Sequence, residues 1–302
     1  AIVFFILTLE SASTDPMSIQ DLTIPSLFNV KGKTVLVTGG SVGIGKMIAA
    51  GFARNGATVY IAARKEAQLK EAVDDLKQIA TAGVHYIVAN VGSKAGCDAL
   101  ISEFKKRESK LHVLVNNSGI TWGGPYNDFP EQKGWDNVFA VNVKSIFYST
   151  QLAHILHDSL TDYLVKDATS TDPARVINIS STAAVEPYSE GPLSDEGNGT
   201  WSYQPSKAAV NHLTSQLAVK LAPSCVTLMS CLQHSVYPSK MTAFGFRTSG
   251  DKMVKGQPMG RVGEPSDMAG LALFLASPAS AHITGQHIIT DGGARLARSA
   301  KL

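Results

Sequence analysis

Seven short apolar runs recur along the chain, and helical patterns stand between most of them. The runs lack the alternation of polar and apolar residues that marks a half-exposed strand, so they are typical of strands covered on both faces. Strands separated by helices form βαβ units whose strands are parallel. The chain is therefore predicted to be an α/β protein built on one open parallel sheet. The runs are 33–39, 57–63, 84–91, 111–117, 174–180, 226–232 and 287–290, and helical patterns cover 43–56, 65–80, 94–108 and 131–158.

The composition excludes several classes of function. The 302 residues are 44% apolar and 17% charged, which suits a folded domain with a large core rather than a disordered chain. The formal net charge of +2 gives no electrostatic reason to expect nucleic-acid binding. The three cysteines form no C-x-x-C pair, and the histidines lack partners at ligand spacing, so neither a disulfide framework nor a metal site is predicted.

The two ends of the chain carry separate signals. The first ten residues are apolar but too few to span a bilayer, which needs about 20 residues, so no membrane association is expected. Met17 is the first methionine, and the natural start is expected at or near it. The chain ends in Ala300, Lys301 and Leu302, one conservative change from a peroxisomal address, so the expected location is cytoplasmic or peroxisomal. We divide the chain into an extension at 1–29, a domain at 30–295 and a tail at 296–302.

A glycine-rich segment, TGGSVGIG at 38–45, follows the first run and opens the first helical pattern. Glycine allows a tight turn and lets backbone N–H groups approach a pyrophosphate at the positive end of a helix. In this strand–loop–helix context the segment predicts a dinucleotide-binding site. Its predicted contacts are Gly39, Gly43 and Gly45, with Ser41 and Ile44 between them.

The glycine pattern and four further motifs, in their order along the chain, resemble the short-chain dehydrogenase/reductase family from about Val30 to Ala294. The resemblance implies a single Rossmann-like domain, doubly wound around seven parallel strands. It also implies a nicotinamide cofactor and hydride transfer at a carbonyl or carbinol carbon. The further motifs are NNSG at 116–119, VNV at 141–143, INISS at 177–181 and Y-x-x-x-K at 203–207.

The end of the second run indicates which nicotinamide cofactor is used. NAD enzymes place a carboxylate there for the ribose 2′-hydroxyl, whereas an arginine accommodates the 2′-phosphate of NADP. Here Ala63 resembles the position of the family's acid, and Arg64 follows it with a guanidinium suited to phosphate. Ser41 and Lys65 can add contacts, so we predict NADP(H). The resemblance also implies three further pairs of cofactor contacts. Asn90 and Val91 lie near adenine, where the family usually has an aspartate followed by a hydrophobic residue. Asn117 and Gly119 follow the fourth run, and Val236 and Thr242 contact the carboxamide.

Tyr203 and Lys207 lie four positions apart, so on a helix they share one face. Carbonyl reduction needs a proton donor as well as a hydride, and a nearby ammonium lowers a phenol's pKa from about 10. By resemblance, Tyr203 is the general acid or base, while Lys207 tunes it and holds the nicotinamide ribose. Ser181 polarises the substrate oxygen, and Asn142 positions a water that links Lys207 to solvent. The neighbouring Ser180 is assigned to the strand.

One departure from the family pattern precedes the Tyr–Lys pair. Ser181 and Tyr203 are 22 positions apart, which is wider than usual in the family. The additional residues fall at 186–201, a segment rich in glycine, proline and acids. This segment is either an enlarged loop that brings Tyr188 or Trp201 to the substrate, or a solvated surface insertion.

A second departure follows the pair. Gln233, His234 and Ser235 replace the family's Pro-Gly turn, which leaves the register of Val236 and Thr242 open. The segment at about 233–263 is expected to be the substrate loop. Its apolar residues, Tyr237 among them, resemble a lid and favour an apolar substrate.

The motifs together favour an NADPH-dependent reduction of a ketone or 3-oxoacyl carbonyl to a secondary alcohol. The stretches at 237–242 and 258–265 resemble bacterial and fungal 3-oxoacyl reductase-like members. The alternatives are a secondary-alcohol dehydrogenase that works oxidatively and a non-catalytic NADP(H)-binding scaffold. The expected partners are a small-molecule carbonyl substrate and further copies of this chain, because members of the family are usually dimers or tetramers.

Overall fold

The computed structural model describes residues 22–154, 164–190, 196–233 and 257–299, and individually 237, 242, 247, 254 and 255. The expected start near Met17 lies outside the described residues, as do Val236 and the C-terminal tripeptide.

The predicted runs become seven strands: β1 (Thr34–Thr38), β2 (Thr58–Ala63), β3 (Val84–Val88), β4 (Val113–Asn116), β5 (Ala174–Ile179), β6 (Val226–Gln233) and β7 (His287–Thr290). They form one sheet in the order β3-β2-β1-β4-β5-β6-β7, and every neighbouring pair is parallel. The predicted fold class is therefore confirmed.

The helices are α1 (Ile24–Leu27), α2 (Gly43–Arg54), α3 (Glu66–Lys77), α4 (Lys94–Lys105), α5 (Asn137–Phe139), α6 (Ser145–His154), α7 (Tyr203–Leu221), α8 (Pro265–Ala276) and α9 (Ala294–Ser299). The helical stretch predicted at about 131–158 is helical over 131–154, with π-helical stretches at Glu131–Asp136 and Ala140–Lys144 on either side of α5, and 155–158 lie outside the described residues. Contacts outside the helix hold both stretches. Gly134 lies against the Phe129 ring, and Asn142 is hydrogen-bonded to the backbone of Ile120.

Helices cover both faces of the sheet, which explains why the inner strands are apolar throughout. Every residue of β1 and β5 is buried, whereas the edge strands β3 and β7 carry exposed positions. One core lies beneath α2, α3 and α8, and the other lies beneath α4, α6 and α7. Within the predicted extension, the ring of Phe28 lies 6.2 Å from that of Phe274 in α8.

The strand order reverses between β1 and β4, so the loops that follow these two strands diverge and open a crevice at the carboxyl edge of the sheet. Among the described residues, no helix is both long and apolar enough to cross a bilayer. The same part of the chain contains no group of three or more His, Cys, Asp or Glu side chains that could hold a metal ion.

Candidate active site

The predicted site residues lie in loops that follow the carboxyl ends of the strands, where open parallel sheets bind their ligands. The glycine segment follows β1, Arg64 follows β2, Asn117 follows β4, and Ser181 follows β5. The sheet therefore brings segments that are distant in sequence to one edge.

The glycine segment folds tightly over the start of α2. Gly39 and Gly43 have φ angles of +67° and +54°. A Cβ on Gly45 would lie 2.4 Å from both the Gly39 carbonyl oxygen and Asn117 Nδ2, so a side chain is excluded there. The first N–H groups of α2 have no partner within the helix, and this end of a helix favours anions. The other two predicted contacts of this loop, Ser41 and Ile44, are buried and half-buried.

Asn117 ties the loop after β4 to the loop after β1. Its Nδ2 donates to the carbonyl oxygens of Thr38 at 3.0 Å and Gly39 at 3.1 Å. Its backbone N–H donates to Thr38 Oγ1 at 3.0 Å, and the Ser118 N–H donates to the same hydroxyl at 3.1 Å. The Asn117 side chain thus fixes the shape of the glycine loop.

Two cationic residues follow β2, and a polar asparagine lies in the segment after β3. Ala63 ends β2, and the side chains of Arg64 and Lys65 after it are exposed. Asn90 is also exposed, and its Oδ1 accepts the N–H of Gly92 at 3.2 Å. Val91, in contrast, packs in the core beneath α4, so its side chain supports the loop from below.

Asn142 is fully buried and joins two parts of the site. Its Oδ1 accepts the N–H of Ile120 at 2.8 Å, and its Nδ2 donates to the Ile120 carbonyl at 2.9 Å and to Ser206 Oγ at 3.0 Å. Both donors of the amide are therefore used by protein partners. Asn142 connects the loop that follows NNSG to the helix that carries Tyr203, and its placing of a water stays a prediction.

The hydroxyls of Ser181 and Tyr203 are hydrogen-bonded to each other. Ser181 is 8% exposed, and its Oγ also accepts the N–H of Ala183 at 3.2 Å at the start of a short 3-10 helix. Burial raises the pKa of the half-buried Tyr203 above its ordinary 10.0, and the hydrogen bond from Ser181 opposes that rise. The phenol is therefore protonated at neutral pH, which is the form that donates a proton.

Lys207 is 4% exposed and lies one turn further along α7. Its Nζ donates to the Ile179 carbonyl oxygen at 2.9 Å and lies 5.6 Å from the centroid of the Tyr203 ring. Burial lowers the pKa of Lys207 to about 8. The sequence predicted that this ammonium lowers the pKa of Tyr203, but burial is the larger influence and acts in the opposite direction. Gly119 lies beside the ammonium, since a Cβ on it would be 3.5 Å from Lys207 Nζ.

The two adjacent serines have different partners. Ser180 Oγ donates to the backbone carbonyl of Lys207 at 3.3 Å, and its N–H donates to the Cys231 carbonyl at 2.9 Å. Ser180 therefore joins β5 to α7 and β6, whereas Ser181 is the serine beside the phenol of Tyr203.

A buried amide network that the sequence reasoning missed supports the site. Asn116 Nδ2 donates to Asn178 Oδ1 at 2.9 Å, and Asn178 Nδ2 donates to Thr214 Oγ1 at 2.9 Å. A signal was present in the sequence, since Asn116 ends β4 and Asn178 lies within β5, both in mainly apolar runs. The network joins β4, β5 and α7, and so orients the helix that carries Tyr203 and Lys207.

The two segments that flank the Tyr–Lys pair differ in what they contribute. In the earlier one, Trp201 packs onto the loop after NNSG, whereas the side chain of Tyr188 is 69% exposed. In the later one, Thr242 is buried and its Oγ1 donates to the Tyr237 carbonyl at 2.8 Å. Tyr237 packs in the core and is not part of an exposed apolar lid.

These residues fit a nicotinamide dinucleotide. Gly45 leaves no room for a side chain at the start of α2, and the backbone N–H groups there favour a pyrophosphate. The exposed Arg64 and Lys65 suit a phosphate at one end of the crevice. Tyr203, Ser181 and Lys207 stand at the other end, where the redox chemistry would take place.

Comparisons with known proteins point in the same direction. A family model described as enoyl-(acyl carrier protein) reductase matches residues 39–295. The rhamnolipid-biosynthesis 3-oxoacyl-[acyl-carrier-protein] reductase of Pseudomonas aeruginosa is 35% identical over 275 residues, which cover 89% of this chain and 98% of the relative. The 5-keto-D-gluconate 5-reductase of Escherichia coli K12 is 31% identical over 281 residues, covering 88% and 97%. The solved NADP complex of Pseudomonas aeruginosa RhlG superposes with a TM-score of 0.78 at 34% identity, covering 89% of this chain and 98% of that one.

Proposed function

The chain belongs to the short-chain dehydrogenase/reductase family, and we propose that it reduces a ketone or 3-oxoacyl carbonyl to a secondary alcohol with NADPH. The observation that carries the proposal is the hydrogen-bonded pair of hydroxyls on Ser181 and Tyr203, with the Lys207 ammonium behind the ring. The 3-oxoacyl substrate class is carried over from the name of the Pseudomonas relative.

When bound, NADPH supplies the hydride that adds to the carbonyl carbon. Tyr203 donates its phenolic proton to the carbonyl oxygen, which completes the alcohol. Once the carbonyl is bound, the single O–H of Ser181 turns from the Tyr203 oxygen to the carbonyl oxygen, where it donates a hydrogen bond and stabilises the negative charge that develops. Lys207 is protonated below about pH 8, so it places a positive charge near the phenolate that remains on Tyr203.

Arg64 supports the choice of NADPH over NADH. Its exposed guanidinium follows Ala63, where no carboxylate would repel a 2′-phosphate. Arg64→Asp should lower the ratio of kcat/KM for NADPH to that for NADH by at least about tenfold, because charge-assisted hydrogen bonds are lost. Arg64→Lys keeps the charge but not the forked geometry of the guanidinium. Its ratio of kcat/KM for NADPH to that for NADH should lie between the ratios of the wild type and Arg64→Asp. An unchanged ratio in Arg64→Asp would refute the role.

The experiment that tests the proposed function is NADPH consumption against a panel of ketones and 3-oxoacyl thioesters. Turnover of at least one member with NADPH, accompanied by formation of the alcohol, is the expected result. Tight NADPH binding without turnover of any member would instead favour the non-catalytic scaffold.

The alternative of a secondary-alcohol dehydrogenase is tested by measuring alcohol oxidation with NADP⁺ on the same protein. The raised pKa of Tyr203 favours its acid form, so alcohol oxidation with NADP⁺ should be slower than reduction near neutral pH and should accelerate as pH rises. Faster oxidation than reduction at pH 7 would make the dehydrogenase the better description.

We also propose that the chain assembles as a homodimer or homotetramer through the helical region at 131–154 and α7. Large apolar side chains are exposed there, with Trp135 39%, Phe147 37% and Val219 80% exposed. Light scattering coupled to size exclusion should give a mass two or four times that of one chain, and a monomer would contradict the assembly. The C-terminal tripeptide lies outside the described residues, and import into peroxisomes stays a prediction.

A further inference from the structure

Trp201, just ahead of Tyr203, fastens two loops together by a set of contacts that we call the clasp (Gly124, Tyr126, Gly199 and Trp201). The Gly124 N–H donates to the Gly199 carbonyl at 3.1 Å, and the Gly199 N–H donates to the Gly124 carbonyl at 2.9 Å. The indole Nε1 of Trp201 donates to the same Gly124 carbonyl at 2.9 Å. The Tyr126 ring meets the indole edge-on, with centroids 5.2 Å apart, and a Cβ on Gly199 would lie 2.5 Å from the indole.

The clasp is continuous with the start of the helix that carries Tyr203. The Tyr203 N–H donates to the Thr200 carbonyl at 2.9 Å, and the Thr200 N–H donates to the Ser189 carbonyl at 2.8 Å. Gln204, next to Tyr203, donates from Nε2 to the Tyr188 carbonyl at 2.7 Å. The residues before α7 are therefore fixed on the helix side by backbone bonds and on the loop side by Trp201.

The loop at 121–126 is held at two points along the chain. Before it, Ile120 is bound by Asn142, which also bonds to Ser206 of α7. Within it, Gly124 is bound by Trp201. Trp122, between these anchors, is 39% exposed, and Tyr126, beyond Gly124, is 78% exposed. This arrangement makes the loop a fixed, aromatic surface beside the first turn of α7.

We propose that Trp201 is a positioning residue that fixes the loop at 121–126 as one wall of the substrate pocket and so sets which carbonyl compounds bind well. The proposal rests on the proposed reductase function. The loop departs from the site after Ile120, so the wall contacts the part of the substrate that extends away from its carbonyl. A substrate with a long apolar chain, such as a long 3-oxoacyl thioester, depends on this wall more than a small ketone does.

Trp201→Phe tests the role, because phenylalanine keeps an aromatic ring and removes the indole N–H. Tyr86→Phe is the matched control, since it also removes one hydrogen bond from an aromatic side chain, the 3.0 Å bond from the Tyr86 hydroxyl to Glu66 Oε1, and Tyr86 lies in β3, outside the clasp. The first readout is hydrogen exchange of the backbone amides of 121–126 and 196–201, which needs no substrate. The second is the separation of KM from kcat for a long-chain 3-oxoacyl thioester and for a small ketone.

Trp201→Phe is expected to speed exchange in both segments by roughly fivefold, the size of one lost hydrogen bond. It should raise the KM of the long substrate by a similar factor while kcat and the NADPH dissociation constant stay close to wild type. Tyr86→Phe should change neither the exchange of these segments nor the KM. Unchanged hydrogen exchange in Trp201→Phe would show that Trp201 does not hold the two loops together. Faster exchange with an unchanged KM for the long substrate would show that Trp201 does not position a wall of the substrate pocket. If the wild-type protein reduces no carbonyl compound, the proposed function fails by itself, and the exchange experiment still decides whether Trp201 holds the two loops together.

Discussion

Replacing Lys207 by methionine is expected to stabilise the fold while it removes activity. The ammonium is 4% exposed, and burial lowers its pKa from 10.5 to about 8. At about 1.4 kcal/mol per pH unit, keeping Lys207 charged at pH 7 costs the folded state about 3 kcal/mol. Methionine has a similar length without the charge, but it loses the hydrogen bond to the Ile179 carbonyl, worth about 1 kcal/mol. The free energy of unfolding should therefore rise by about 2 kcal/mol.

The stabilisation should depend on pH in a defined direction. The unfolded chain keeps the Lys207 proton up to about its ordinary pKa of 10.5, whereas the folded chain loses it above about 8. The unfolded state binds more protons between these values, so the stability of the wild-type protein rises with pH there, and the advantage of methionine shrinks.

Urea unfolding at pH 7 and pH 10 measures both effects. Lys220→Met, at an exposed position of the same helix, serves as the control and should change stability little. A Lys207→Met protein that is less stable than wild type at pH 7, or a stability difference that does not change with pH, would mean that the buried charge of Lys207 does not destabilise the fold.

Three further predictions follow from the site and its surroundings. Ser181→Ala should lower kcat by about 10²–10³-fold with little change in NADPH affinity, because one donor to the developing oxyanion is lost; steady-state kinetics checks this, and a near wild-type kcat would exclude Ser181 from the chemistry. Gly45→Ala places a Cβ 2.4 Å from the Gly39 carbonyl oxygen, so it should destabilise the fold by about 1–3 kcal/mol and weaken NADPH binding in a fluorescence titration, and unchanged affinity would count against the loop's role. Burial lowers the pKa of His112 to about 4, so between pH 4 and 6.5 the unfolded state binds more protons than the folded state. The free energy of unfolding of the wild type should therefore fall as pH drops through this range. Urea unfolding at several pH values should show a weaker pH dependence in His112→Gln, and an equal pH dependence would contradict the role of His112.

The strands and the glycine loop were predictable because their signals are local. A continuous apolar run predicts a strand that is buried on both faces, and a glycine pattern between a strand and a helix predicts a tight turn. The order of five motifs then predicted Ser181, Tyr203 and Lys207 as site residues, and the sheet brings all three to one edge.

Other features could not be predicted because they depend on contacts between distant residues. Arg175 lies inside an apolar run yet is fully buried, with Nη2 donating to the Ser277 carbonyl at 2.8 Å and Nε donating to the Leu275 carbonyl at 3.0 Å. Trp201 finds its acceptor at Gly124, 77 positions away. The direction of the pKa shift of Tyr203 could not be predicted from the sequence either. The spacing identifies a neighbouring ammonium, but it does not show how deeply the phenol is buried.

Tyr203→Phe tests whether Tyr203 donates the proton in the NADPH-dependent reduction. The substitution removes the hydroxyl that is bonded to Ser181 and keeps the ring that lies beside Lys207. Measured on a carbonyl substrate that the wild-type protein reduces, kcat should fall by about 10²–10⁴-fold while the NADPH dissociation constant stays near its wild-type value. A kcat close to wild type, or a loss of rate fully explained by weaker NADPH binding, would contradict the account.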